Sequence, residues 1–319
     1  MAKFYINHIT KYTYTDKVFD GANMLRLHPI NDEFQKVLSH TISVTNNAFI
    51  QTFTDFYGNT VGTFMLTEPH RELTIESRVE VITFDKIFPD DSVAINEQWD
   101  EIKSIQKHID FIDFTVINKA FCANQEVIDF IEKLDFEKIS PYRFVLQLCE
   151  YVYKNFKYIQ GVTTVKSTVE DVWNLKSGVC QDFTNVLLQL VRMTGIPARY
   201  VSGYICPSDE ITRGEGATHA WIEAYIPFYG WLGIDPTNNA IANENHVRLA
   251  VGRDYSDCAP VKGIFKGKAE EELYVKVEVS KTKDNSSGHT PPIGFVSSTP
   301  NNSYRQNLEI IQHQQQQQQ

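Results

Sequence analysis

In the stretch "SGVCQDF", residues 177–183, Cys180 follows a glycine-led turn and opens an amphipathic helix. The unpaired backbone N–H groups and the dipole at a helix start favour an anion, which lowers a thiol's pKa and frees thiolate near neutral pH. A cysteine placed there is a candidate nucleophile, and a nucleophile of this kind needs a base and a group to orient the base. Both are offered by "THAWIEAYIPFYGWLGIDPTNN", residues 218–239. Read as a hairpin, this segment puts His219, Trp221, Glu223 and Tyr225 on one face of its first strand. Trp231, Gly233 and Asp235 share a face of the second. A connection running from Ile226 to Gly230 pairs Tyr225 with Trp231 and Trp221 with Asp235. Asp235 then lies diagonal to His219, with Cβ atoms roughly 7 Å apart. A loop one residue shorter would put the two on opposite faces. Cys180, His219 and Asp235 are therefore the candidate catalytic residues. In the expected arrangement the carboxylate accepts the imidazole Nδ1 proton and leaves Nε2 facing the thiol.

Taken singly, each residue has a plainer reading: a buried inert thiol, a satisfied strand histidine, an aspartate opening a turn before proline. It is the three in facing positions that point to chemistry. The first oxyanion donor expected is the backbone N–H of Cys180, with Tyr158 or Asn174 as a second. Trp221, Trp231 and Tyr204 are candidate walls of a substrate cleft, and Asp182 is read as a structural partner of the helix dipole. A metal at Cys180, His219 and Asp235 is not expected, because no second histidine lies at ligand spacing and HExxH is absent. No cofactor is expected.

The elements that must hold these residues are legible in outline. Between residue 3 and about 84 the apolar period is two, in runs such as "KFYINHITKYTYT" and "ELTIESRVEVITF" separated by turn signals. We expect an antiparallel β-sandwich over residues 1–90, a linker over 91–115, a catalytic core over 116–281 and a polar tail over 282–319. The core reads as α+β, helices first and an antiparallel sheet after. Ser140 and Pro141 open a helix to about Phe156, on whose apolar stripe Cys149 is a core residue. Ser167 with Glu170 caps a second, and Gly195 with Pro197 stops the helix that starts at Cys180. The strands "ARYVSGYIC", "HAWIEAYI", "GWLGIDP" and "ELYVKVEVS" follow. The glutamine-rich tail cannot bury enough apolar surface to order itself.

A chain of 319 residues is long enough for two such domains. Its formal net charge of −10 and lack of a basic run argue against nucleic acid as a partner. The N-terminus has no basic-then-apolar leader, and no run of about 18 apolar residues could span a bilayer. The five cysteines are scattered and never spaced as CxxC, which suits reduced thiols in a cytoplasmic protein. The expected partner is a peptide or protein substrate, and oligomeric state is left open.

The segments "GVCQDFTNVLLQLVRMTGIPARYVSGY", "THAWIEAYIP" and "GWLGIDPTNN" together resemble the core of the transglutaminase-like superfamily in its bacterial-type branch. "YTYTDKVFDGANMLRLHP" and "FTDFYGNTVGTF" are similar to that branch's N-terminal β domain, and "VGRDYSDCAPVKGIF" to a stretch after the core. The resemblance covers roughly residues 1 to 280. It implies a fold related to the papain core, with Cys180 as nucleophile, His219 as base and Asp235 as orienter. It also implies acyl transfer from an amide through a thioester. Water and an amine both remain open as acceptors, since the family includes peptidases, amidases and cross-linkers. We expect hydrolysis of a peptide or isopeptide bond, with glutamine cross-linking or a non-catalytic peptide-binding module as alternatives.

Overall fold

The computed structural model describes residues 1–134, 138–164, 167–206, 213 and 218–282. In chain order the strands are β1 (Ala2–Leu25), β2 (Gln35–Val44), β3 (Gln51–Thr54), β4 (Thr60–Leu66) and β5 (His70–Thr83). Four helices follow: α1 (Ile95–Ile105), α2 (Lys119–Cys122), α3 (Gln125–Glu132) and α4 (Pro141–Asn155). Next come β6 (Lys157–Tyr158), α5 (Val169–Leu175), β7 (Ser177–Gly178) and α6 (Cys180–Met193). The chain continues through β8 (Ala198–Ile205), β9 (His219–Ile226), β10 (Gly230–Asp235), β11 (Ala240–Ile241) and β12 (His246–Gly252). It closes with α7 (Tyr255–Cys258), β13 (Val261–Lys266) and β14 (Glu271–Ser280). The architecture is α+β, as the sequence leads one to expect.

Two compact units divide the chain, and their boundary is not the expected one. Residues 2–82 and 259–282 form one unit, and the described residues of 83–258 the other. The late strand "ELYVKVEVS" thus belongs with the N-terminal strands and not with the catalytic core. The cause is the length of β1: its first half pairs with β14 from Tyr5↔Ser280 to Tyr14↔Glu271, and its second half with β4 and β13. Among the described residues, the seven strands of the unit connect through β1 into one sheet network. The expected linker is also corrected. Within residues 91–115 lies α1, whose Trp99 and Ile102 are buried in the core of the second unit. Its apolar residues are few and spaced by charges, so the period is faint in sequence.

The second unit places a five-stranded sheet, ordered β11-β10-β9-β8-β12, against α4 and α6. Phe183, Val186, Leu187, Leu190 and Val191 of α6 are all fully buried, each contributing about 1.5–3 kcal/mol of apolar burial. They meet Tyr200, Ala220, Ile222, Leu232 and Ile234 from one face of the sheet. The opposite face carries Arg199, Val201 and Gly203 of β8, paired with Glu223, Trp221 and His219 of β9. Ser140 caps α4 as expected, its hydroxyl accepting from the Arg143 N–H at 3.3 Å. The cap of α5 is displaced by one residue: Thr168 and Asp171, not Ser167 and Glu170, exchange the reciprocal bonds, at 3.1 and 2.9 Å. No helix of the described residues is long and apolar enough to cross a membrane.

Candidate active site

Cys180 is the first helical residue of α6, and its neighbours fix that start tightly. Asp182 is buried, and its Oδ2 accepts the Val179 N–H at 2.8 Å and the Thr163 hydroxyl at 2.6 Å. Burial raises its carboxyl above the usual range, opposed by those two bonds. The sequence reading of Asp182 as structural stands, with the added finding that it anchors Thr163. Gly178 is required here because a Cβ would collide with Asp182. The half-exposed Cys180 thiol points to the Thr218 carbonyl, Sγ to O 3.9 Å.

Thr218 immediately precedes His219, so the thiol reaches the sheet beside that imidazole. The hairpin register is the one derived from loop length, with Trp231↔Tyr225 and Ile234↔Ile222 paired. Asp235 Oδ2 consequently accepts from His219 Nε2 at 2.8 Å, with both side chains wholly buried. The nitrogens, however, exchange their expected roles. Nε2 bonds Asp235, while Nδ1 is buried with no hydrogen-bond partner among the described residues. The physical reason is reach: Nε2 is the outer ring nitrogen and spans to the next strand, whereas Nδ1 stays near its own backbone, where Thr218 holds the thiol. Burial alone would lower the His219 pKa, but the Asp235 charge and hydrogen bond and the adjacent Cys180 raise it. Asp235 is held well below the usual carboxylate range, the burial penalty being outweighed by His219 and His246.

His246, absent from the sequence reading, is the second histidine that spacing did not reveal. Its Nε2 lies 3.4 Å from Asp235 Oδ2. Asn238 Nδ2 donates to the same oxygen at 2.8 Å, and Oδ1 receives the Thr237 and Asn238 N–H groups at 2.8 and 3.3 Å. Ligand atoms of His219, Asp235 and His246 lie within 4.8 Å of one another, close enough for a metal's donor set. Each of those atoms already serves in a hydrogen bond, so an ion would have to displace the network that orients His219. The arrangement can hold and pass a proton beside a thiol.

The remaining candidates divide. Tyr158 on β6 sits beside Gly178 through the parallel β6–β7 pair, where Ile159 N–H donates to Gly178 O at 2.9 Å. Its hydroxyl is pushed up to about 12 by burial first and then by the nearby Cys180, leaving it a neutral donor. Asn174 lies exposed on α5, and no hydrogen bond among the described residues links it to Cys180 or His219. Trp221 and Tyr204 are completely buried. Trp221 packs edge-on against His246, ring centroids 5.2 Å apart. Trp231 pairs with Tyr225 near the β9–β10 turn, the end of the hairpin away from His219, and lies under the Arg199 guanidinium at 4.3 Å. Strand alternation placed Trp221 and Trp231 on a face without showing what packs against it. Cys149 is buried, as expected, and its thiol donates to the Asp235 carbonyl at 3.5 Å.

Comparison with known proteins gives two family matches. The description "Bacterial transglutaminase-like N-terminal region" fits residues 4–82, and "Transglutaminase-like superfamily" fits residues 129–236. An uncharacterized protein of Mycobacterium leprae is 32% identical over 284 residues, covering 88% of this chain and 99% of its own. The protein-glutamine gamma-glutamyltransferase of Pseudomonas aeruginosa is 34% identical over 71 residues, 21% of this chain and 11% of its own. A solved structure from Cytophaga hutchinsonii, described as a "Putative Cysteine Protease", has the same fold: TM-score 0.66 at 24% identity, covering 88% of this chain and 91% of that one.

Proposed function

The chain belongs to the transglutaminase-like superfamily, and from that premise we propose that it is a cysteine-dependent acyl-transfer enzyme acting on amide bonds. The observation that carries this reading is the arrangement of His219. One nitrogen is bound to a buried carboxylate at 2.8 Å, and the other, without a partner among the described residues, lies next to a thiol at a helix start. In the first step the Cys180 thiol gives its proton to His219 Nδ1 and the thiolate attacks the amide carbonyl carbon. The oxyanion is received by the Cys180 N–H and the Tyr158 hydroxyl. The C–N bond then breaks as Nδ1–H protonates the leaving amine, and a thioester remains. Water, or a second amine, attacks that thioester with Nδ1 taking its proton, and the S–C bond breaks to release the product.

Hydrolysis of a peptide or isopeptide bond is our first reading of the acceptor step. The match to the Pseudomonas aeruginosa protein, which is named for glutamine transfer, supports capture of the thioester by a lysine amine as the second. Mass spectrometry of the full chain incubated with a glutamine-containing peptide, with and without a lysine analogue, tests both. We expect an acyl adduct on Cys180 that is absent in Cys180→Ala. An adduct that has released a peptide fragment and decays to the free acid marks hydrolysis of a peptide bond, whereas one that has released ammonia from glutamine and decays to an isopeptide with the lysine analogue marks transfer. If no adduct forms and iodoacetamide labels Cys180 no faster than Cys122, the chain is a binding module and the enzyme reading falls.

A further inference from the structure

Asp235 is shared by two histidines. His246 opens β12, and its backbone N–H donates to Asn243 O at 3.0 Å, so the turn preceding it folds back on itself. Within that turn the Asn243 N–H points at His246 Nδ1, 3.3 Å away. Nδ1 also lies 3.4 Å from Asn243 Oδ1, but Nε2 faces Asp235 Oδ2 at 3.4 Å, and because a carboxylate only accepts, the ring proton sits on Nε2 and Nδ1 takes the Asn243 N–H. Burial holds His246 below the ordinary histidine range, and Asp235 offsets this only in part, so the ring is neutral and its Nε2–H is a donor at neutral pH. The edge-on Trp221 ring, 78° to the imidazole, keeps it in that orientation.

An imidazole costs free energy to bury unless its polar atoms are used, and an apolar side chain would fill the same space without that cost. Both nitrogens of His246 are spent on fixed partners. Asp235 Oδ2 must hold one orientation for His219 Nε2 to keep its proton there and turn Nδ1 to the thiol. We propose that His246 is a positioning residue. It adds a donor to Asp235 Oδ2 beside Asn238, and through that carboxylate it fixes the His219 tautomer that serves Cys180. The proposal rests on the reading of Cys180 and His219 as nucleophile and base.

The test is the rate of Cys180 alkylation by iodoacetamide, followed by peptide mass from acid to alkaline pH on the full chain. His246→Met matches the ring's bulk without a donor, and His246→Gln keeps an amide donor at nearly the Nε2 position. We expect the Met variant to be about three- to tenfold slower at neutral pH, and the Gln variant to stay within about twofold of wild type, in the range of couplings between touching residues. In an Asp235→Asn background the Met change should add no further loss, because the residue acts through that carboxylate. If Met and Gln both match wild type, or if Met slows the Asp235→Asn protein as much as the parent, the proposal is overturned. Should the Met variant not fold, His246→Asn replaces it: its amide is too short to reach Oδ2, so it must be slow, and wild-type speed overturns the idea. His219→Ala separates the two layers. A profile unchanged in that variant removes the base reading itself, whereas a slow His219→Ala beside a fast His246→Met removes only the role of His246.

Discussion

The carboxylate of Asp235 receives bonds on both oxygens from His219, Asn238, Thr237 and His246. An asparagine there keeps the shape but must turn its NH2 toward donors whichever way it flips, leaving buried groups unpaired. Asp235→Asn is therefore expected to slow Cys180 alkylation at neutral pH by about tenfold or more, and to cost about 1–3 kcal/mol of stability as well. Urea denaturation beside the alkylation profile checks this, and an unchanged midpoint would show that the cage is not felt. At this scale the sequence was informative where strand period acts: the loop from Ile226 to Gly230 set the register that joins His219 to Asp235. It misassigned the ring nitrogens, because face-sharing tells which residues meet and not which atom of a ring spans the gap. His246 stayed hidden because it reaches Asp235 from β12, on the far side of β8 and β9 in the sheet order.

Across β8, β9 and β12 an ion network crosses the sheet face that bears His219. Glu223, 1% exposed, accepts from Arg199 Nε at 2.7 Å and lies 3.4 Å from Arg248 Nη1. Burial would raise its carboxyl, but Arg199, Arg248 and Lys86 together hold it at about 2, below the usual 4.5. A folded pKa below the unfolded one gives stability that is present above pH 4.5 and is lost as pH falls toward 2. The difference corresponds to about 3 kcal/mol at neutral pH. Glu223→Gln should lose about that much at pH 7 and progressively less as pH falls, when denaturant midpoints are compared across pH. A loss that does not depend on pH would mean that packing and not charge holds the three strands. The strand pattern gave the face of Glu223 on β9, yet its arginine partners were invisible as such, since a charged residue on a strand usually reads as the solvent side. The one-residue displacement of the α5 cap has a similar origin: Ser167, Thr168, Glu170 and Asp171 offer two registers, and only the bonds formed by Thr168 and Asp171 choose between them.

For the whole molecule, the chain leaves its N-terminal unit, builds the second unit and returns. The resemblance over the first eighty residues was readable, because an alternating period survives in any strand. The return was not, since a strand's sequence names its buried face and not the strand it pairs with. β14 has an alternating run, and the simplest reading joined it to the sheet just before it in sequence. In the structure it pairs with β1 along Tyr5–Tyr14, while β13 pairs with the end of β1, so both are needed to satisfy the backbone of that strand. Truncation separates these readings. A chain ended after Thr282 keeps β13 and β14 and should unfold as the full chain does. A chain ended after Cys258 keeps every element around Cys180, His219 and Asp235, but leaves the N–H and C=O groups of β1 that pair with β13 and β14 without those partners. The shorter chain should therefore lose amide-exchange protection across Phe4–Tyr14 and aggregate, while the protection of α6 and β9 persists. Hydrogen exchange on both truncations reads this directly. If α6 loses its protection along with β1, the two units fold as one cooperative body, and the division at residues 83 and 258 does not describe its stability.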